Sequence, residues 1–154
     1  ISMNHEHFMD LALAEAKKAF EIGEVPIGAV VVRGDEVIAL AHNHRETAKN
    51  ALGHAELLAI DEACKKLGGW RLIGCTMYVT LEPCLMCAGA IINSRIERLV
   101  YATRDPKAGA VDSLYDVLRD SRLNHQVEVI EGVLAEESSR LLKQFFQELR
   151  RAKG

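Results

Sequence analysis

His54-Ala55-Glu56 and Pro83-Cys84-Leu85-Met86-Cys87 are the two short stretches around which the chain is built. One imidazole and two thiolates are three good ligands for zinc, and three protein ligands leave the fourth tetrahedral position open for a water molecule, as a catalytic zinc site requires. Glu56 supplies a proton acceptor beside that water. The two stretches therefore predict one open centre that holds one Zn²⁺ per subunit, with His54, Cys84 and Cys87 as metal ligands and Glu56 as the catalytic residue.

The spacing of these residues also predicts where two helices begin. Residues two positions apart on a regular helix point about 200° apart, so His54 and Glu56 can face one metal only if His54 caps a helix and Glu56 lies in its first turn. Cys84 and Cys87 are three positions apart and can face one point from the start of another helix. Pro83 is expected in the first turn of that helix, where proline is favoured.

The hydrophobic pattern predicts alternating helices and strands. The predicted helices cover 6–22, 55–66, 83–93 and 134–150, and the predicted strands cover 27–32, 37–41, 76–80, 99–102 and 127–130. This alternation favours an α/β fold with three layers, α/β/α, and a five-stranded mixed sheet that starts with an antiparallel hairpin. The 24 residues between the last two strands, with a predicted short helix near 113–118, leave room for a crossover, so we expect those two strands to be parallel.

Composition and charge are those of an ordinary globular protein. The chain has 154 residues, of which 49% are hydrophobic and 27% are charged, and we expect residues 3–154 to form a single domain. Residues 1 and 2 precede Met3, which we expect to begin the natural chain, so we interpret them as remnants of cloning. The formal net charge of −3 argues against a general polyanion binder, so any contact with nucleic acid has to be local.

Neither a membrane span nor a secretory leader is predicted. The longest apolar run, 27–32, is far too short to cross a bilayer, and no charged segment followed by an apolar one opens the sequence. We therefore expect a cytoplasmic protein with no membrane partner. In that setting, two cysteines with two residues between them indicate metal ligands or a redox pair more often than part of a disulfide framework.

Each part of the motif has another interpretation when it is taken alone. C-x-x-C occurs in structural zinc half-sites and in redox pairs, and a lone histidine or glutamate is usually an ordinary core or surface residue. Cys64 and Cys75 are poorly spaced to close a four-ligand site. Taken together, H-x-E followed by P-C-x-x-C is the signature of zinc-dependent nucleobase deaminases. We therefore predict a hydrolytic deaminase in which zinc-bound hydroxide attacks the amine-bearing ring carbon, with Glu56 as the proton shuttle, and ammonia is released.

Five stretches spread over the chain carry a more specific resemblance: Glu24–Val30, Gly53–Glu56, Thr80–Ile91, Arg104–Ala110 and the Phe145-Phe146…Leu149-Arg150 ending. Over nearly its whole length the sequence resembles the bacterial tRNA-specific adenosine deaminases, which belong to the cytidine-deaminase-like superfamily. The first three stretches are shared across the superfamily, and the last two are more discriminating. The resemblance implies the cytidine-deaminase-like fold, a zinc-containing homodimer, a tRNA anticodon stem-loop as partner, and hydrolysis of adenosine to inosine at the wobble position.

The resemblance also implies substrate contacts at Asn43, Asp105 and Lys107. A carboxamide such as that of Asn43 can pair with a purine edge in both directions, and its alternative role is to cap a loop. Asp105 and Pro106 taken alone would indicate a turn. Asn43, Asp105 and Lys107 are therefore predicted contacts that depend on the family resemblance.

The carboxyl-terminal segment gives separate support for RNA contact. Residues 140–154 carry five basic residues against one acidic residue, so their net charge is +4 while the rest of the chain sums to −7. Such a helix fits contact with phosphates and a stacked base, and Phe145 and Arg150 are the predicted contacts. Adjacent helical positions face about 100° apart, so one of Phe145 and Phe146 is expected in the core and the other at the RNA. The alternative is that both rings are core and that the basic residues complement the helix dipole.

Two other functions remain open from the sequence. A free-base deaminase acting on guanine or cytosine would use the same zinc motif, without need of a basic tail. A structural-zinc RNA-binding subunit without catalysis is the other alternative, and the presence of Glu56 argues against it because a silent site needs no proton shuttle. The apolar segment 88–92 is a plausible contributor to the interface of the implied homodimer.

Overall fold

The computed structural model describes residues 4–153; the expected cloning remnants at residues 1 and 2 lie outside them. Nine elements follow one another along the described chain: α1 (His5–Glu21), β1 (Gly28–Arg33), β2 (Glu36–His42), α2 (Ala55–Leu67), β3 (Cys75–Leu81), α3 (Leu85–Asn93), β4 (Arg98–Thr103), β5 (Glu128–Ile130) and α4 (Ala135–Lys153). Among the described helices, none combines the length and the apolar character needed to cross a membrane.

The five strands form one mixed sheet in the order β2-β1-β3-β4-β5. β1 is antiparallel to both of its neighbours, β2 and β3. The pairs β3–β4 and β4–β5 are parallel, with Leu99 opposite Val129 in the second pair. The predicted α/β fold, the five-stranded mixed sheet and the parallel last pair are therefore confirmed.

Helices cover both faces of the sheet because successive strand residues point to opposite sides. In β1, Val30 and Val32 join a cluster with α1 residues, whereas Ala29 and Val31 join a second, larger cluster with residues of α2 and α3. α4 packs along β4 and against the end of α1. This arrangement gives the predicted three layers.

The close packing of α1 against β1 depends on Gly28. A Cβ atom placed there would lie 2.0 Å from the carbonyl oxygen of Ala12, so any larger residue would push the helix away from the sheet. The backbone N–H of Gly28 also donates to the hydroxyl of Thr80 on β3 (3.1 Å). This contact fixes the segment that enters β1, and that segment forms one side of the site described below.

Two details of the predicted elements are wrong. Residues 113–118 contain turns and irregular backbone in place of the short helix, because backbone N–H groups near Ser113 donate to a carboxylate, that of Glu82, and not to helical carbonyls. Helix α3 begins at Leu85, and Pro83 lies before it. The carbonyl of Pro83 accepts a hydrogen bond from the N–H of Ala110 (2.9 Å), which holds this segment extended up to Cys84.

Candidate metal centre and substrate cleft

The first part of the site is the start of α2. His54 is the N-cap residue with extended backbone (φ −81°, ψ 146°), and Glu56 lies in the first helical turn. This is the arrangement that the two-residue spacing requires, so the prediction that His54 and Glu56 straddle the helix start is confirmed.

The second part of the site is the start of α3, where Cys84 is the N-cap residue and Cys87 lies within the first turn. Nδ1 of His54 is 3.6 Å from Sγ of Cys84 and 3.5 Å from Sγ of Cys87, and the three atoms form a compact group that could hold a metal ion. A tetrahedral zinc ion with Zn–N of about 2.0 Å and Zn–S of about 2.3 Å would place nitrogen and sulfur about 3.5 Å apart. The three side chains therefore fit zinc in both donor chemistry and spacing.

The electrostatics of this cluster favour a thiolate and a buried acid. A hydrogen bond from Cys87 lowers the pKa of the Cys84 thiol to about 4, with a further contribution from His54. Burial raises the pKa of the Glu56 carboxyl to about 7, and the negative charge of Cys84 adds to the effect. Glu56 is 4% exposed, so its carboxyl is shielded from bulk solvent beside the ligand atoms.

A cleft of about 580 Å³ opens onto this centre. It brings together residues from six separated segments, and six of the predicted site residues line it: Asn43, His54, Glu56, Cys84, Asp105 and Lys107. Cys87 is buried behind them. The volume is sufficient for one nucleobase with part of its sugar, within the usual size range of small-molecule sites.

One wall of the cleft is the loop that follows β2. Asn43 is 5% exposed, its Oδ1 accepts the N–H of Arg45 (3.2 Å), and its Nδ2 donates to the carbonyl of Val25 (3.3 Å). Asn43 therefore does cap its loop, and the amide still has a second hydrogen for a substrate. The loop is also tied to buried Glu24, whose carboxylate accepts the N–H groups of Glu46 (3.2 Å) and Thr47 (2.5 Å).

The electrostatic effect of those bonds is visible at Glu24. Burial alone would raise the pKa of its carboxyl, but the N–H donors of Thr47 and Glu46 outweigh it and lower the pKa below its ordinary value. Glu24 is therefore a buried, charged acceptor for loop backbone.

The opposite wall is the loop that follows β4, and it is held by Glu82. This buried carboxylate accepts the N–H groups of Asp105 (3.0 Å), Val111 (3.0 Å), Asp112 (2.7 Å) and Ser113 (2.9 Å), together with the hydroxyl of Ser113. Burial alone would raise the pKa of Glu82, but these donors lower it to about 2. The wall is therefore organised around one charged side chain that the substrate itself does not need to touch.

Within this loop, the Asp105 side chain shapes a turn. Its Oδ1 accepts the N–H groups of Lys107 (3.1 Å) and Ala108 (3.3 Å). Asp105 lines the cleft, and its Oδ2 has no protein donor among the hydrogen bonds of residues 4–153. The Asp105 carboxylate can therefore order the loop and accept a hydrogen bond from a substrate at the same time.

The cleft continues outward into a groove of about 430 Å³ along α4. Lys107 and Phe146 line both the cleft and the groove, and Lys143 and Arg150 line the groove alone. None of the three basic residues forms an ion pair within the described part of the chain, whereas the neighbouring Arg104 is held in two hydrogen bonds by Glu131. The groove thus presents positive charge and one aromatic ring next to the cleft.

The two adjacent phenylalanines of α4 have different positions. Phe145 is 8% exposed and packs edge-on against Phe20 of α1, with ring centroids 5.6 Å apart. Phe146 is 40% exposed and lines the cleft. The structure therefore does not bring Phe145 to the cleft, and Phe146 is the one of the two phenylalanines that lines it.

Comparison with known proteins agrees with this geometry. The family model of MafB19-like deaminases matches residues 3–150. A tRNA-specific adenosine deaminase of Bacillus subtilis (strain 168) is 57% identical over 148 residues, which cover 96% of this chain and 92% of the relative. The chain belongs to the tRNA-specific adenosine deaminase family. The predicted family and the predicted class of enzyme, a hydrolytic deaminase, are therefore confirmed.

Solved structures place this tRNA-specific adenosine deaminase family member among related folds. A structure from a study of A-to-I editing by tRNA:A34 deaminases at the wobble position of transfer RNA is 46% identical, covers 88% of this chain and 98% of that one, and superposes with a TM-score of 0.84. A guanine deaminase of Bacillus subtilis is 39% identical over 66% of each chain, with a TM-score of 0.63. The scaffold is therefore shared with an enzyme named for a free base.

Several residues of the site escaped the sequence analysis. Arg45 and Leu142 line the cleft, and nothing in the sequence distinguishes them from solvent-exposed or core residues of their segments. Glu24 and Glu82 had a detectable signal, because each is an acid placed within two residues of a proline at the border of an apolar strand. That pattern marks a carboxylate at a strand end, but not the loops that it binds.

Proposed function

We propose that this member of the family hydrolyses adenosine to inosine at the wobble position of a tRNA anticodon, with release of ammonia and with one Zn²⁺ per subunit held by His54, Cys84 and Cys87. The observation that carries the proposal is the continuity between the cleft and the basic groove along α4. A free base would fill the cleft alone. A nucleotide within RNA needs an exit for its backbone, and the groove supplies that exit with positive charge.

The chemistry follows from the side chains that meet in the cleft. Zinc, when bound, acidifies a water molecule so that it can act as a nucleophile near neutral pH. Glu56 accepts a proton from that water and passes it to the ring nitrogen beside the amine-bearing carbon of the base. The second proton of the water moves through Glu56 to the amino group, which leaves as ammonia. The oxygen of the water remains on the ring as the carbonyl of inosine.

Recognition of the base falls to the two walls. The second Nδ2 hydrogen of Asn43 is available to an acceptor on the purine edge, and Asp105 can accept a hydrogen bond through Oδ2. Phe146 offers an exposed ring on which a neighbouring base of a single-stranded anticodon loop can stack, as is common in RNA recognition. These three contacts would orient the adenosine with its amine towards the metal centre.

The phosphate backbone is proposed to follow Lys107, Lys143 and Arg150. These side chains provide local positive charge on a chain of net charge −3, which explains how an acidic protein binds RNA. Since such contacts release counterions, affinity for RNA should fall as the salt concentration rises. A tRNA substrate also places the enzyme in the bacterial cytoplasm.

We also propose that the enzyme is a homodimer that uses the outer face of α3. The helix contains no charged residue, yet Leu85 is 56% exposed and Gly89 has open space beside it. A helix that is apolar all round is normally covered. The predicted interface segment 88–92 contributes only in part, because Ala88 and Ile91 belong to the core.

Dimer formation is tested by sedimentation of the wild-type protein and of Leu85→Glu. The wild type is expected to sediment as a dimer and Leu85→Glu as a monomer with the same secondary structure. Leu123→Glu, which changes an exposed leucine (41% exposed) outside α3, serves as the matched control and should remain a dimer. A monomeric wild type would contradict the proposed assembly.

The substrate is tested by incubating the zinc-loaded protein with an anticodon stem-loop that carries adenosine at the wobble position, and separately with guanine and with cytosine. Inosine in the stem-loop, with no conversion of either free base, is the expected result. Guanine deamination is the second candidate because a guanine deaminase shares the scaffold. Conversion of guanine without conversion of the stem-loop would overturn the proposal in favour of that candidate.

A further inference from the structure

Each wall of the cleft is tied to the scaffold by one buried carboxylate. Glu24 is 1% exposed and Glu82 is 2% exposed, and neither is a predicted metal ligand or proton shuttle. Each one accepts backbone N–H groups from a loop that is distant in sequence: the loop after β2 at Glu24 and the loop after β4 at Glu82. We propose that Glu24 and Glu82 are positioning residues that preset the two loops of the substrate cleft before the RNA binds, an inference that rests on the proposed function.

Glu24 ties the loop after β2 to the scaffold, whereas the loop's other backbone hydrogen bonds beyond Asn43 run within the loop itself, as from the N–H of Asn50 to the carbonyl of Arg45 (3.1 Å). Residues 45–52 are all exposed, so no burial of apolar side chains holds them in one conformation. The bonds from Glu46 and Thr47 to Glu24 fix the loop a few residues from Asn43 and Arg45, both of which line the cleft. Without this acceptor the loop would lose its attachment to the scaffold at Glu46 and Thr47, and only a fraction of the molecules would present those two side chains to a base.

Glu82 holds the loop after β4 because its two carboxylate oxygens together accept five hydrogen bonds from that loop. A carboxylate accepts hydrogen bonds only, with about four lone-pair positions, so Glu82 is saturated and has no capacity left for a substrate. Gly109 lies against it, and a Cβ at that position would be 2.3 Å to 2.5 Å from the carboxyl atoms. Glu82 therefore acts through the loop that carries Asp105 and Lys107.

Replacement of either glutamate by glutamine isolates this role because the shape is kept while one oxygen becomes an NH₂ group. At Glu24 the new NH₂ would face a backbone N–H, and at Glu82 it would face at least two donors, so the loop loses its anchor. When only a fraction of the protein holds a loop in the competent conformation, the apparent affinity falls by that fraction. Once the RNA has bound and ordered the loop, the chemical step proceeds as before.

The experiment measures kcat and KM for the wobble-adenosine stem-loop, normalised to zinc content, in the wild type, Glu24→Gln and Glu82→Gln. Both variants are expected to raise KM about tenfold or more, with kcat within about threefold of the wild type. A merely structural role would lower the folded, zinc-loaded fraction of the sample and its melting temperature, while kcat per zinc and KM stay unchanged. Thermal unfolding of each variant records that fraction independently.

Glu15→Gln is the matched control. Glu15 is the other buried glutamate outside the metal centre (6% exposed), and it accepts hydrogen bonds from the side chains of Lys18 and His42, not from loop backbone. The same substitution there should leave KM within about twofold of the wild type, because no cleft loop is released. If Glu82→Gln does not fold, Ser113→Ala removes one donor to Glu82 without altering the carboxylate, and a rise in KM of about threefold is expected.

The outcomes separate this inference from the proposed function. If the wild type converts the stem-loop but KM stays unchanged in the two Gln variants and in Ser113→Ala, the positioning role is refuted while the proposed function stands. If the wild type converts guanine and not the stem-loop, the proposed function fails, and the same comparison of KM is made with guanine. A tenfold rise in KM for guanine would then still support the positioning of the walls.

Discussion

The opposite environments of Phe145 and Phe146 lead to opposite phenotypes for their alanine variants. Phe145 is buried against Phe20 at the junction of α4 with α1. Deleting a buried phenylalanine side chain costs about 3 to 5 kcal/mol, and the partial exposure of Phe20 places Phe145→Ala near the lower end, at about 3 kcal/mol. For a chain of this length the melting temperature should fall by about 6 to 12 °C.

Phe146→Ala should instead affect RNA binding. The ring is 40% exposed, so its removal should cost about 1 kcal/mol of stability or less. Loss of one stacked base costs about 1 to 3 kcal/mol, which corresponds to a rise of about 5- to 150-fold in KM for the stem-loop. Phe146→Tyr keeps the ring and should leave KM close to that of the wild type.

The assay combines thermal unfolding with stem-loop kinetics for the three variants. Phe145→Ala should lose thermal stability and keep KM, and Phe146→Ala should keep stability and lose affinity. The assignment is refuted if Phe145→Ala raises KM at unchanged melting temperature while Phe146→Ala leaves KM unaffected, since α4 would then present its other face to the RNA.

Three further predictions concern the metal centre and the loop anchors. Glu56→Ala should retain one zinc per subunit and the wild-type circular dichroism spectrum while turnover falls by about 10²- to 10⁴-fold; substantial residual turnover would refute its role as proton shuttle. Removal of zinc by a chelator should abolish turnover and lower the melting temperature, because His54, Cys84 and Cys87 then lack the ion that holds them together. Added Zn²⁺ should restore both turnover and melting temperature. Full activity of a sample shown by metal analysis to be free of metal would contradict this prediction. The pKa of Glu24 in the folded state is lowered from 4.5, so the unfolded state binds more protons at low pH. In urea unfolding, the stability advantage of the wild type over Glu24→Gln should therefore be complete above about pH 4.5 and shrink below it. An advantage that grows on acidification would contradict the charged state of Glu24.

Much of the fold followed from local patterns. The His54 and Glu56 spacing fixed the start of α2 because helix geometry allows only one way for both residues to face one metal. The parallel pairing of β4 and β5 followed from the length of their connection. The short helix at 113–118 was predicted wrongly because its donors bond to Glu82, a partner about thirty residues earlier in the chain, which no local pattern reveals.

The substrate side of the site was less accessible to the sequence. The rotation of α4 decides which of Phe145 and Phe146 reaches the cleft, and that rotation is set by the contact with Phe20 on another helix. Asn43 combines loop capping with a place in the cleft, so the two interpretations of the residue are compatible. The anchoring roles of Glu24 and Glu82 depend on which loops pass over them, and only the folded chain brings those loops there.

Isotope incorporation into the RNA product tests the central claim most directly. The zinc-loaded protein is incubated with the wobble-adenosine stem-loop in H₂¹⁸O, and the nucleoside at that position is analysed by mass spectrometry while ammonia is counted. Hydrolytic deamination predicts inosine with one ¹⁸O atom and one ammonia released for each inosine, and a rate of product formation at least about 10²-fold lower with Glu56→Ala. The account would be contradicted if the adenosine of the stem-loop stayed unchanged while the same protein deaminated guanine under the same conditions.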